Sequence, residues 1–123
     1  MTSMLCNLVK SNQRKHLREK YKSIDFKFAV IVSSGKSSLK QLESYFDSSQ
    51  SLPIPTLHMY GNSDKIVPSE RSIELTGYFE KPMIFNHEYG HCIPYTNEAR
   101  ESYSDFFKQM SSEFKTTNII DND

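Results

Sequence analysis

Apolar positions along the chain alternate between helical and strand-like spacing, and the changes of spacing mark out its elements. Met1, Met4, Leu5 and Leu8 fall at i, i+3, i+4 and i+7, one face of a helix over residues 1 to 9. Thr2 or Ser3 would cap it weakly. No segment leads into that helix, so the chain is expected to begin inside an element. Residues 10 to 22, "KSNQRKHLREKYK", are polar and basic. Residues 26 to 33, "FKFAVIVS", form an apolar run rich in β-branched side chains, which suits a strand covered on both faces, as in a parallel sheet. "SSGKSSLKQLESYFDSSQS" opens as a loop and predicts a short helix around residues 39 to 46, with Pro53 and Pro55 ending any helix.

The second strand is "PTLHMYG", residues 55 to 61, and "NSDK" is the loop at its end. Pro68 fits the first turn of a helix that offers Ile73, Leu75 and Phe79 to a core. Lys81-Pro82 is a tight connection, and "MIFNH" is a third strand. The last helix, roughly residues 96 to 114, has the clearest period: Ala99, Tyr103, Phe106, Phe107, Met110 and Phe114 share one stripe. "TTNIIDND" reads as a frayed tail over residues 116 to 123. The order is α-β-(α)-β-α-β-α, which predicts an α/β fold with a parallel sheet and right-handed crossovers. Sites in such sheets form at the carboxyl ends of the strands. Here those ends are "SSGK", "GNSDK" and "NHEYGH".

Composition narrows the partners. The 123 residues suffice for one small domain. Lysine plus arginine equal aspartate plus glutamate at 15 each, so net charge gives no reason to expect nucleic acid or an anionic membrane as partner. No apolar run could span a bilayer, and the N-terminus lacks the apolar core of a signal peptide. Cys6 and Cys92 are far apart and form no CxxC, which favours reduced thiols in a cytosolic or nuclear protein.

Two chemistries compete for "HEYGH", residues 87 to 91. His-Glu-x-x-His is the spelling of a zinc protease, in which both histidines share a helical face and the glutamate polarises the metal-bound water. Pro82 and Pro94 limit any such helix to about three turns, and "MIF" follows a short connection as a strand would. The other chemistry joins two strand ends. Asp64 follows the second strand and His91 the third, and acid before base is the order in an α/β-hydrolase triad. Asp64 would bind one ring nitrogen of His91, leaving the other to take a proton from a serine. The bland alternatives are an aspartate that merely caps a turn and a histidine that is structural or exposed.

The segment "PIPTLHMYGNSDKIVPSERSIELTGYFEKPMIFNHEYGHCIP" closely resembles the C-terminal part of the FSH-type serine hydrolases, an α/β-hydrolase family that includes fungal esterases. The family pattern is a strand, G-x-x-D-x-(I/V)-(I/V)-P, a helix, a strand, then H-x-x-G-H-x-(I/V)-P. Gly61, Asp64, Ile66, Val67 and Pro68 match its first half, and His87, Gly90, His91, Ile93 and Pro94 its second. The resemblance covers roughly residues 4 to 110, with "FKFAVIVSSG" similar to the preceding strand and "MLCNL" to the helix after the nucleophile. It implies Asp64 as triad acid and His91 as triad base, with His87 outside the triad and Glu88 where relatives often have proline. It further implies hydrolysis of carboxylic or thio-esters as small-molecule substrates, without metal or cofactor.

One departure bears on all of this. The family's G-x-S-x-G elbow is missing from this chain. The resemblance therefore implies a partial hydrolase domain over residues 1 to 115: the C-terminal part of an α/β-hydrolase fold, with three parallel strands and flanking helices. The nucleophile and oxyanion hole would lie upstream, and the chain would be a fragment, a short isoform or an incomplete gene model, inactive alone. The competing class is a truncated, non-catalytic product acting as a binding module. The missing upstream half would leave an open edge on the strand at 26 to 33, which invites self-association. Cys92 beside His91 and the hydroxyls of Ser33 and Ser34 are the substitute nucleophiles to weigh. A small packing residue and loop hydroxyls are their plainer roles. The basic run Lys10, Arg14, Lys15, Arg18, Lys20 and Lys22 reads as a solvated face, and the aromatic stripe Tyr103, Phe106, Phe107 and Phe114 as core.

Overall fold

The computed structural model describes residues 26 to 46 and 51 to 120. The helix expected over residues 1 to 9, Cys6 and the basic run at 10 to 22 lie outside them. Three parallel strands form one sheet in the order β1 (Ala29–Val32), β2 (Thr56–Gly61), β3 (Pro82–His87). A short 3₁₀ segment, Lys40–Tyr45, follows β1, helix α1 (Ser69–Thr76) joins β2 to β3, and helix α2 (Asn97–Ile120) follows β3. This is part of an α/β-hydrolase fold.

The apolar run of β1 has the reason expected of it: both faces are covered. Ala29 and Ile31 pack with Leu52, Ile54, Leu75, Tyr78 and Phe79 on the α1 side. Phe28, Val30 and Val32 face the opposite layer, where Leu57, Met59, Met83 and Phe85 meet Ala99, Phe106 and Met110 of α2. Burying a side chain such as Leu57 or Phe106 contributes about 1.5–3 kcal/mol, and both are fully enclosed. Phe28 also sets its ring edge-on to Phe106 at 5.7 Å. The central strand β2 is buried along its whole length. It carries His58 on the α1 side, where the ring meets Phe79 edge-on at 5.1 Å and Nε2 lies 3.1 Å from Thr56 Oγ1.

The helices differ from expectation in detail. Pro68 stands just before α1 rather than in its first turn. Ser72, Leu75 and Thr76 are the residues α1 turns inward, so Ile73, expected in the core, is half exposed. Thr76 Oγ1 donates to the Ile73 carbonyl, which satisfies its hydroxyl within the helix. Thr96 precedes α2, and its Oγ1 accepts from the Ala99 N–H, an N-cap bond. Phe107 lies outside the buried stripe of Ala99, Phe106 and Met110 at 43% exposure. The helix continues to Ile120, past the expected end near Phe114, because no glycine or proline stops it. Residues 116 to 120, expected in a frayed tail, are thus helical. No helix among the described residues is long and apolar enough to cross a membrane.

Candidate active site

The register of the sheet levels two strand ends. Tyr60 pairs with Asn86 and Gly61 with His87, so the loops after β2 and β3 leave the same edge side by side. The first loop carries Asp64 and the second His91. His91 Nδ1 lies 2.9 Å from Asp64 Oδ2. The acid and its partner differ in access: the Asp64 side chain is fully buried, while that of His91 is 40% exposed.

Asp64 divides its two oxygens between two tasks. Oδ1 accepts from the backbone N–H groups of Ile66 and Val67 at 2.8 and 2.9 Å, an Asx-type turn that shapes the loop. Oδ2 is left for His91. One side chain thus closes the turn with Oδ1 and meets the His91 ring with Oδ2. Burial alone would raise the Asp64 pKa. The Val67 N–H, the His91 ring and the Ile66 N–H outweigh it and hold the carboxyl below its ordinary value. An ionised carboxylate only accepts, so the proton of a neutral His91 ring sits on Nδ1, and Nε2 keeps a free lone pair.

Gly61 is what lets the loops pass so closely. A Cβ at this position would stand 2.0 Å from the Tyr89 carbonyl oxygen and 2.6 Å from that of Gly90, both backbone atoms of the loop that carries His91. Beneath that crossing lies His87, with its ring buried and both nitrogens without a hydrogen-bond partner. Burial lowers its pKa, against the opposing pull of Asp64 and Glu88, so His87 favours the neutral form. The two loops are also tied directly. The Asn62 N–H donates to the His87 carbonyl at 2.7 Å, and Asn62 Nδ2 donates to Glu88 Oε1 at 2.8 Å.

HEYGH lies on a strand end and an irregular loop, not on a helix. His87 closes β3 and His91 follows in the loop, so the shared helical face that a zincin spelling requires is absent. The hydroxyl of Ser33, at the end of β1, is buried with no hydrogen-bond partner. Its backbone has φ 43°, left-handed for a non-glycine residue, and its N–H donates to Met59 O. Cys92 is an exposed free thiol. The loop after Ser34 is held against α1, where Arg71 donates to the Lys36 carbonyl at 2.9 Å and Lys36 pairs with Glu74 at 2.8 Å. Tyr89, Cys92, Ile93, Pro94, Tyr95 and Thr96 line an open, largely apolar hollow of about 380 Å³ formed by the residues flanking His91.

Sequence reasoning missed the Asn62–Glu88 bond, whose partners no spacing rule connects. It also passed over His58, although a histidine between Leu57 and Met59 in an apolar strand was signal enough.

The chain as a whole is similar to known proteins. A family model described as "Serine hydrolase (FSH1)" matches residues 1 to 103. The zebrafish protein named Esterase OVCA2 is 28% identical over 110 residues, covering 89% of this chain and 45% of the relative. Esterase CG5412 of Drosophila melanogaster is 32% identical over 112 residues, 90% of this chain and 36% of the relative. Esterase AAEL000016 of Aedes aegypti is 39% identical over 88 residues, 71% of this chain and 31% of the relative. The chain thus spans less than half the length of these relatives.

Proposed function

Because the chain belongs to the FSH1 family of serine hydrolases, we propose that it supplies the acid and base of an esterase site whose nucleophile lies outside these 123 residues. The observation that carries this reading is the 2.9 Å bond between buried Asp64 and accessible His91. Its relatives are named as esterases. In the proposed mechanism a serine attacks the carbonyl carbon of a carboxylic or thio-ester, and His91 Nε2 takes the hydroxyl proton as the new bond forms. The imidazolium sits against the Asp64 carboxylate. His91 then returns the proton to the leaving oxygen or sulfur, and a water repeats the cycle on the acyl-enzyme. The apolar hollow beside His91 gives the hydrocarbon part of an ester a place to rest.

No G-x-S-x-G elbow occurs in the sequence, and Asp64 and His91 alone offer no activated nucleophile. The isolated chain is expected to hydrolyse ester probes no faster than its His91→Ala variant. A rate at least tenfold above that variant would mean a serine or cysteine within the chain does the work.

A second reading rests on a different observation. Among the described residues β1 pairs only with β2, so one row of its backbone groups is open. An open, apolar, β-branched edge is a template for another strand. On this reading the chain is a non-catalytic module that self-associates through residues 26 to 33. Sedimentation should then show dimers or larger species whose proportion rises with concentration. A Val30→Pro variant should reduce them, since proline cannot donate to a new ladder. A monomer at all concentrations would dismiss the second reading and leave the first untouched.

A further inference from the structure

We infer that Asn62 and Glu88 act together as a clasp that positions His91 against Asp64. The inference rests on the reading of Asp64 and His91 as an acid–base pair. The acid loop runs from Gly61 to Asp64 and the base loop from His87 to His91, and Asn62 grips the second loop twice. Its N–H holds the carbonyl of His87 at 2.7 Å and its side-chain amide holds the carboxylate of Glu88 at 2.8 Å. The backbone bond continues the sheet and fixes only the root of the loop. The side-chain bond lies beyond the last strand pair, on the way to His91.

Past His87, the described approaches between the loops are the clasp, the close crossing at Gly61, the neighbouring approach of Gly90 to the Ser63 carbonyl and the Asp64–His91 bond itself. The crossing is a steric limit and not a tether, because Gly61 has no side chain to hold Tyr89 or Gly90. An accessible imidazole on an irregular loop needs something to keep its Nδ1 aimed at a buried carboxylate. The clasp supplies that with a side-chain hydrogen bond from one loop to the other. Glu88 is thereby given a role different from the one its HExxH spelling suggests. It is a positioning residue, and so is Asn62; neither touches the reacting atoms.

The test is nuclear magnetic resonance on the 123-residue chain labelled with ¹⁵N at histidine, reading solvent exchange of the His91 Nδ1–H. Opening the clasp by Glu88→Ala, or by Asn62→Asp, which sets two carboxylates face to face, should speed that exchange about three- to tenfold. Glu88→Gln keeps an acceptor for the Asn62 amide and should leave exchange within about twofold of the parent. Both residues are exposed, so circular dichroism and melting should change little, which separates positioning from general stability. Unchanged exchange in Glu88→Ala and Asn62→Asp would overturn the clasp and leave the acid–base pair standing. Equal loss in Glu88→Gln and Glu88→Ala would also overturn it, by showing that charge and not the bond matters. A parent chain with no protected Nδ1–H would remove the Asp64–His91 reading and the clasp with it.

Discussion

Joined to an upstream segment that supplies a nucleophilic serine, this chain should lose about 10⁴-fold in kcat when Asp64 is replaced by asparagine. The substitution is nearly isosteric, and its direction of failure follows from the hydrogen bonds. The carbonyl oxygen of an asparagine can still accept from the Ile66 and Val67 N–H groups, as Asp64 Oδ1 does at 2.8 and 2.9 Å. The Asx turn survives, and with it the loop. What changes is the atom facing His91: an amide NH₂ cannot accept from Nδ1–H. The ring proton moves to Nε2, and the nitrogen meant to take the serine proton is blocked. KM should therefore stay within a few-fold of the parent. His91→Ala should cost at least as much, and combining the two should add little, because in the proposed mechanism acid and base act as one unit. A loss of less than tenfold in Asp64→Asn would remove Asp64 from the proposed machinery.

The second large effect is on stability and belongs to His58, well away from the site. Burial lowers its pKa from 6.5 to about 4. The unfolded chain takes up a proton near 6.5 that the folded chain refuses until about 4. The unfolded state therefore binds more protons across that window, and stability rises with pH there. The His58 contribution is intact above 6.5 and declines as pH falls, reaching a loss of about 3 kcal/mol by pH 4. That is a large share of the roughly 5–15 kcal/mol that stabilises a typical domain. His87, lowered in the same direction by burial, adds to the trend. Denaturant melts between pH 7.5 and 4 should show this fall. His58→Gln, which can still bond to Thr56 and carries no titrating group, should flatten most of it. Equal midpoints at pH 7 and pH 4.5 in the parent chain would contradict a neutral, buried His58.

The strands were legible because their signals are local. "FKFAVIVS" is apolar on both faces, and the structure covers both. Prolines and Gly61 punctuate the strands in the sequence itself. Helix faces were harder. Ile73 and Phe107 fit an apolar stripe by spacing alone, yet α1 presents Ser72 and Thr76 to the core instead of Ile73, and α2 leaves Phe107 half exposed. Which stripe wins depends on the sheet that a helix meets, and spacing does not contain that. At the site, the order acid then base on adjacent strand ends brought out Asp64 and His91, and the fold joins them. The need for glycine at 61 was legible only as a motif letter. Its cause is the passage of the Tyr89 and Gly90 carbonyls over its Cα. The Asn62–Glu88 bond spans 26 residues between two side chains of common type, and no periodicity points to it.

The most direct test of the proposal is to find the serine. The protein taken from its native source would be treated with a fluorophosphonate probe, digested, and the modified residue mapped, with and without His91→Ala. The expected result is a labelled serine in a G-x-S-x-G segment outside these 123 residues, in the same polypeptide or a tightly bound partner, and loss of labelling in His91→Ala. Labelling of Ser33 or Ser34, or labelling indifferent to His91, would contradict it.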